Sequence, residues 1–482
     1  MKASKRRLMP LAAALLLVGC TTVPAIDPAD LPLVPPAFKE GNAAWTQAPP
    51  AEDQPRGQWW KVFDDPVLDA LEARAIERNN EIRIATARLA QARALVRATE
   101  ADRAPQLGVD ASVVRQGGTL ARASGTDGTL GRVGATLAYE VDLFGRLAEA
   151  SRAASLDADA QAALLQDARL LIQSNVAQSY LALRAVDAER ALVRQSVDAY
   201  RDTLALTQRR YDAGDVGELE VARVQTELAA NESQALALDR QRTALEHALA
   251  VLMGDATANF SLIEEDWRSD LPVIPAGVPS TVLTRRPDVA AAQRAMLAAQ
   301  ARVGVAKAAW FPSFSLTANG GYASPDLEDV FKWSARSWGI GALLSLPIFD
   351  GGRRDAAIEN AAAQLDIALG TYRERVLVAF KDVDDQLAAL RLLAAQAEAQ
   401  ARAVAAAKRA TTLSDYRYRD GLVSQLDVLD ARRSELANRR AALQVRAARF
   451  QATVALIRAI GGGWGALCDT PAPEAPAMSR SG

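Results

Sequence analysis

The sequence predicts an α+β membrane protein made of two copies of one unit. Three observations carry that prediction: a long internal repeat, four alternating apolar–polar stretches, and long segments almost free of Pro and Gly. The repeat is clearest where Tyr418-Arg419-Asp420-Gly421 through Val428 echoes Tyr211-Asp212-Ala213-Gly214 through Val221, an offset of 207 residues at both ends. Pro105 and Pro312, Leu183 and Leu390, and Gly254 and Gly461 keep that spacing. Leu143-Phe144 and Ile348-Phe349 stand 205 apart, as when one loop differs in length.

The N-terminus reads as an export signal. Lys2, Lys5, Arg6 and Arg7 precede an apolar run from Leu8 to Val18, too short to span a bilayer. The run ends Leu17-Val18-Gly19-Cys20, which resembles a bacterial lipobox, so Cys20 is expected to be lipidated and to become the mature N-terminus. Thr21 follows, where Asp would retain a lipoprotein in the inner membrane, so an outer-membrane destination is expected. Without residues 1–19 the chain keeps 52 basic against 58 acidic side chains. With Cys20 carrying lipid, Cys468 is the one remaining thiol, so no intrachain disulfide can form.

Composition narrows the function classes. Aromatics are 5% of the 482 residues, and Ala, Leu, Arg, Gln and Glu fill long stretches, a bias of long helices. A formal net charge of −2 argues against nucleic acid, and the single His247, read as a solvated residue on a helix flank, argues against a His-based site. No nucleophile–base pair, phosphate loop or metal-ligand cluster stands out, so an enzyme is not expected, nor any cofactor beyond the lipid on Cys20. Glu264-Glu265-Asp266 reads as a solvated loop.

Each element then follows in order. Residues 20–63 are a lipid-anchored, Pro-rich extended segment with isolated Trp45, Trp59 and Trp60. Asp64 and Asp65 before Pro66 are candidate caps of an amphipathic helix reaching about Arg103. After Pro105 the period becomes two: Leu107, Val109, Ala111 and Val113, then Val133, Ala135, Leu137, Tyr139 and Val141, form a hairpin at about 106–142. From about Arg146 to Arg210 the chain predicts one helix of about 100 Å. The tip at 211–218 reverses it, with Asp215 and Glu218 in a capping-box pattern. Repeat 1 thus covers 64–254 and a connector spans 255–286. Repeat 2, at 287–461, replays the plan with a hairpin at about 313–348 and a tip at 418–424, before a tail at 462–482.

Strands of about ten residues are long enough to cross a bilayer when tilted, and aromatics mark their ends at Tyr139, Phe144, Trp310, Phe311, Tyr322, Trp338 and Phe349. Four strands cannot close a barrel, and an open edge in lipid leaves backbone groups unsatisfied. The chain must therefore oligomerise, as a dimer with eight strands or a trimer with twelve.

Several motifs resemble outer-membrane efflux proteins of the TolC/OprM/NodT type: Trp59-Trp60 with Phe63-Asp64-Asp65-Pro66, Tyr139-Glu140-Val141-Asp142-Leu143-Phe144-Gly145-Arg146, Val278-Pro279-Ser280 through Arg286-Pro287-Asp288, and Val303 through Pro312. The lipobox places the chain with the lipoprotein branch, and Gln293 departs from the Glu of many relatives. The resemblance implies a TolC-like homotrimer with a 12-stranded transmembrane β-barrel continued by a periplasmic α-helical barrel. It implies an equatorial belt from 255–286 and the two termini. It also implies a passive exit duct working with a periplasmic adaptor (membrane fusion protein) and an inner-membrane RND-type transporter, in contact with outer-membrane lipid and no nucleic acid.

By matching the motif, the periplasmic gate is assigned to Tyr418, Asp427 and Asp430, with Tyr211, Glu220 and Arg223 as repeat counterparts. Asp427 and Asp430 share one helix face, and a trimer would ring the opening with six carboxylates, favouring cations. Ser424 with Asp427 reads equally as a helix cap. Val423 replaces a cation that some relatives use to lock the closed state, so pairs with Arg419 or Arg223 are expected instead. The alternatives are a channel for type I protein secretion and a non-conducting lipid-anchored coiled-coil scaffold. Strict heptads and no strands would mark the scaffold.

Overall fold

The computed structural model describes residues 23–33, 38–40, 58–119, 127–267, 269, 271–272 and 286–462. Cys20, Trp45, residues 273–285 of the connector and the tail beyond 462 lie outside them.

Asp65 starts helix α1 (Pro66–Arg78): its carboxylate accepts from the N–H groups of Val67 and Leu68 at 3.0 and 3.2 Å, and Pro66 occupies the first turn. The helix does not run on to Arg103. It stops at Asn79, whose ψ of 131° is extended, and α2 (Asn80–Ala101) begins at once. The Asn79 carboxamide makes the break: Oδ1 accepts from Glu81 and Ile82 N–H, and Nδ2 donates to Leu252 O at 2.9 Å. An asparagine side chain that replaces backbone partners is a physical helix stop.

There follow β1 (Gln106–Gln116), β2 (Gly128–Val141), α3 (Arg146–Asp212), α4 (Glu218–Leu252), α5 (Pro287–Ala308), β3 (Ser313–Ser324), β4 (Arg336–Ser345), α6 (Arg353–Arg419) and α7 (Gln425–Ala459). The repeat is visible residue for residue. Helices α2 and α5 have 22 residues, α3 and α6 have 67, and α4 and α7 have 35, each pair 207 residues apart. Leu252 and Ala459 end equivalent helices, and their carbonyls are taken by equivalent residues, Asn79 Nδ2 and the Arg286 guanidinium.

The strands form one antiparallel sheet in the order β1-β2-β3-β4. Its register gathers the apolar residues on one face. Leu107 pairs with Leu137, Leu137 with Ala318, and Ala318 with Ile340. The other face carries Asp110, Ser112, Arg132, Thr136, Thr317 and Asn319. Leu107, Val109, Trp338 and Ile340 are all more than 70% exposed, so no described residue covers the apolar face.

The chain divides into two units. The first comprises 1–32, 87–163 and 291–375 and holds the sheet; its core of Met296, Ala299, Val303, Ala361 and Leu365 is joined by Ile26 of the N-terminal segment. The second comprises 33–86, 164–290 and 376–482. Here Trp59 and Trp60, assigned by sequence to an extended tether, are buried in a short 3-10 turn. Trp59 meets Phe63, Phe63 meets Phe450, and Phe450 meets Trp267, while Trp59 Nε1 donates to Gln173 at 3.1 Å. The acidic connector is also more than a solvated loop: Glu264 pairs with Arg190 at 3.0 Å and Glu265 with Arg184 at 3.5 Å. His247 is exposed on α4, as expected. No described helix is long and apolar enough to cross a membrane.

Candidate gate at the helix-turn tips

Both tip turns are built the same way. Gly214 and Gly421 adopt φ of +82° and +73°, conformations that favour glycine. The next N–H reaches back five residues, Asp215 to Arg210 O and Leu422 to Arg417 O, each at 2.8 Å. These bonds satisfy the last carbonyls of α3 and α6 and turn the chain sharply.

The restarts differ. Helix α7 opens on a full capping box: Ser424 N–H donates to Asp427 Oδ2 at 2.9 Å, and Asp427 N–H donates to Ser424 Oγ. The Ser424 hydroxyl, followed by its backbone N–H, holds the Asp427 carboxyl below the usual carboxylate range. Helix α4 has no such cap. Its N-cap is Gly217, so the expected Asp215–Glu218 box does not form. Glu220 leans back over Gly217 instead, its carboxylate 3.1 Å from where a Cβ would stand.

Asp427 and Asp430 are both exposed, but each has a partner: Asp430 accepts from Arg433 at 2.7 Å. Tyr418 is half-buried and its hydroxyl accepts from Arg210 at 2.7 Å. Tyr211 is 40% exposed. Among the described residues Arg223 makes no ion pair, and Arg419 lies 6.0 Å over the Tyr416 ring with no acid partner.

Sequence reasoning missed the bonds that join the two tips. Gln425 donates to Thr207 at 2.8 Å, and Arg432 donates to Thr203 at 3.2 Å while pairing with Asp415 of its own hairpin at 3.0 Å. Beneath them Tyr200, Val224 and Leu429 share a small core. Arg210 was legible in one respect: it precedes Tyr211 as Arg417 precedes Tyr418, so the repeat preserves an Arg-Tyr pair at each tip. The acids, arginines and two tyrosines of the tips offer recognition and charge. Among the described residues no group of three or more His, Cys, Asp or Glu is placed to hold a metal ion.

The sequence profile of outer membrane efflux proteins matches the chain twice, over residues 71–255 and 278–462, segments offset by the same 207 residues. This chain belongs to the outer membrane efflux protein family. It is an outer-membrane protein of a family of channels, not enzymes. The pyoverdine export outer membrane protein OpmQ of Pseudomonas aeruginosa is 34% identical over 470 residues, covering 96% of this chain and 98% of that protein. The cation efflux system protein CusC of Escherichia coli O157:H7 is 31% identical, covering 95% and 99%. Among solved structures, the open-state MtrE outer membrane channel of Neisseria gonorrhoeae superposes with a TM-score of 0.80 at 28% identity, covering 92% of this chain and 99% of that one. The fold of this efflux family member is therefore that of the TolC-like channels.

Proposed function

We propose that this chain is the outer-membrane exit duct of a tripartite efflux system, assembled as a homotrimer with a 12-stranded barrel. The carrying observation is the sheet. Four antiparallel strands present one apolar face, and among the described residues the outer edges of β1 and β4 are unpaired. In lipid those edges need partners, and copies of the same chain supply them by closing a ring. Cys20 carries the lipid anchor. A periplasmic adaptor and an inner-membrane RND-type pump deliver the cargo, and the duct conducts passively.

Cargo is a small molecule or ion. Relatives are named for export of pyoverdine and of cations, at similar identity and coverage. The gate is the tip set Tyr418, Asp427, Asp430, Tyr211, Glu220 and Arg223, to which Arg210 is added by its bond to Tyr418. Six Asp carboxylates around one opening favour cations.

Planar-bilayer conductance tests this reading. The purified oligomer should show a small, cation-preferring conductance that an Asp427→Ala/Asp430→Ala double variant alters. A conducting wild type with an indistinguishable variant removes the gate assignment and keeps the duct.

A further inference from the structure

The lipid-facing side of the sheet carries an unexplained pair of charges. Its residues are Leu107, Val109, Ala111, Val113 and Arg115 on β1, with their register partners through β2 and β3, ending on β4 at Leu344, Ala342, Ile340, Trp338 and Arg336. Two of these residues are charged, both are arginines, and no carboxylate shares the face. The charges of the opposite face, Asp110, Arg132 and Glu140, include both signs.

The placement of the two arginines is not scattered. Each is eight residues from the apolar residue nearest the helices, Leu107 to Arg115 and Leu344 to Arg336. Eight strand residues span about 27 Å, or about 20 Å along the normal for a tilted strand, which lifts both guanidinium groups to the outer margin of an apolar band about 25 Å tall. They also stand on the two edge strands. A ring closed by joining β4 to the next copy's β1 brings an Arg336 strand beside an Arg115 strand at every seam.

The surroundings of Arg336 suit a headgroup. Its guanidinium lies 5.0 Å over the Trp333 ring and donates to Trp333 O at 3.1 Å. Its register partner Tyr322 packs on Phe331, and Trp338 stands two residues away, 75% exposed. The loop cation Lys332 is held by Asp329 at 2.5 Å, whereas Arg115 and Arg336 have no carboxylate partner among the described residues. A guanidinium at the edge of hydrocarbon, flanked by aromatic rings, matches the bidentate geometry of a phosphate.

We propose that Arg115 and Arg336 form a seam site for the phosphate of an outer-leaflet lipid headgroup, one at each junction between subunits. This rests on the barrel reading above. The test uses the purified full-length oligomer in detergent and native mass spectrometry, with diphosphorylated lipid A or the same glycolipid stripped of phosphate. The phosphorylated form should be retained about tenfold better, and an Arg115→Gln/Arg336→Gln variant should lose that preference. Arg115→Lys/Arg336→Lys keeps the charge and should retain part of it. If the Gln double variant fails to assemble, each single Gln variant should lose about two- to threefold, roughly half the pair's effect on a logarithmic scale.

Equal retention of both glycolipids, or an unchanged preference in the variants, overturns the site. So does displacement by millimolar inorganic phosphate, which would mean a simple anion site. The barrel reading is checked separately by a nitroxide on Ile340→Cys in a Cys468→Ser background. Greater access to oxygen than to a nickel chelate places that face in lipid; the reverse sinks the barrel itself, whatever the lipid result.

Discussion

The two long hairpins, α3–α4 and α6–α7, share a backbone and differ in what fills it. In the first, Asp187 is 2% exposed and accepts from Arg190 and Arg242, while Arg184 and Arg242 donate to the connector carbonyls of Ile263 and Leu262. Positioned 207 residues on from Arg184, Asp187, Arg190 and Arg242 are Arg391, Ala394, Ala397 and Arg449. Arg391 has turned to Glu40 of the N-terminal segment, and Arg446 lies over Trp267. The first hairpin is therefore tied to the connector by ions, and the second packs against it with aromatics. Helix length and turn glycines hold the repeat together, since both act through backbone. Side-chain chemistry is free to diverge, so one chain presents two unlike hairpins.

The largest test of that contrast removes Asp187. Asp187→Ala removes the buried carboxylate that Arg190 and Arg242 share, while each keeps other acceptors in Glu264 and Glu246, and should cost about 2–3 kcal/mol in denaturant unfolding of the oligomer. A loss below about 1 kcal/mol would mean that the ions are incidental and the hairpins equivalent.

Next comes Glu72 on α1, a helix whose second-repeat positions, 273–285, all lie outside the described residues. Its side chain is fully buried and both oxygens lack hydrogen bonds, so burial, then Asp69, pushes its pKa well above the usual value. Glu72→Leu should stabilise by about 1–3 kcal/mol. The sign with pH is set by the raised folded value. Relative to Glu72→Gln, the wild type is best below the ordinary Glu range and loses stability as pH rises through the raised value. Thermal melts at several pH values read this directly, and a gain for wild type at higher pH would contradict it.

At the tips, Arg210→Ala or Tyr418→Phe removes one charge-assisted bond between the hairpins. Loss of about 1–2 kcal/mol should raise the conducting fraction roughly tenfold in bilayer recordings. No change would show that the tip is closed by contacts between copies. The smallest effect compares the two restarts. Ser424→Ala should speed amide exchange in the first turn of α7, and Gly217→Asn should slow it in α4. Because the Asp427 carboxyl is held low, its cap persists above the usual carboxylate range and is lost as pH falls through the depressed value. Exchange at 425–428 should then accelerate in acid, with no matching change after Gly217.

The sequence by itself determined the tandem repeat, the hairpins, the long helices, and the Ser424–Asp427 cap. Each of these is local: alternation, helical runs and turn glycines act within a few residues, and a repeat copies them at a constant offset. It could not show that Asn79 splits the first helix, because the side chain's third bond goes to Leu252, far along the chain. Nor could it show that Trp59 and Trp60 are core, or that Glu264 answers Arg190. Tyr418 was legible as a tip residue, yet its bond to Arg210 was not, nor was the bond of Gln425 to Thr207. Such pairings depend on which faces of distant helices meet, and tertiary packing alone decides that. The same holds for Arg115 and Arg336. As sequence they are two ordinary arginines, and the sheet register puts them on one face at one height.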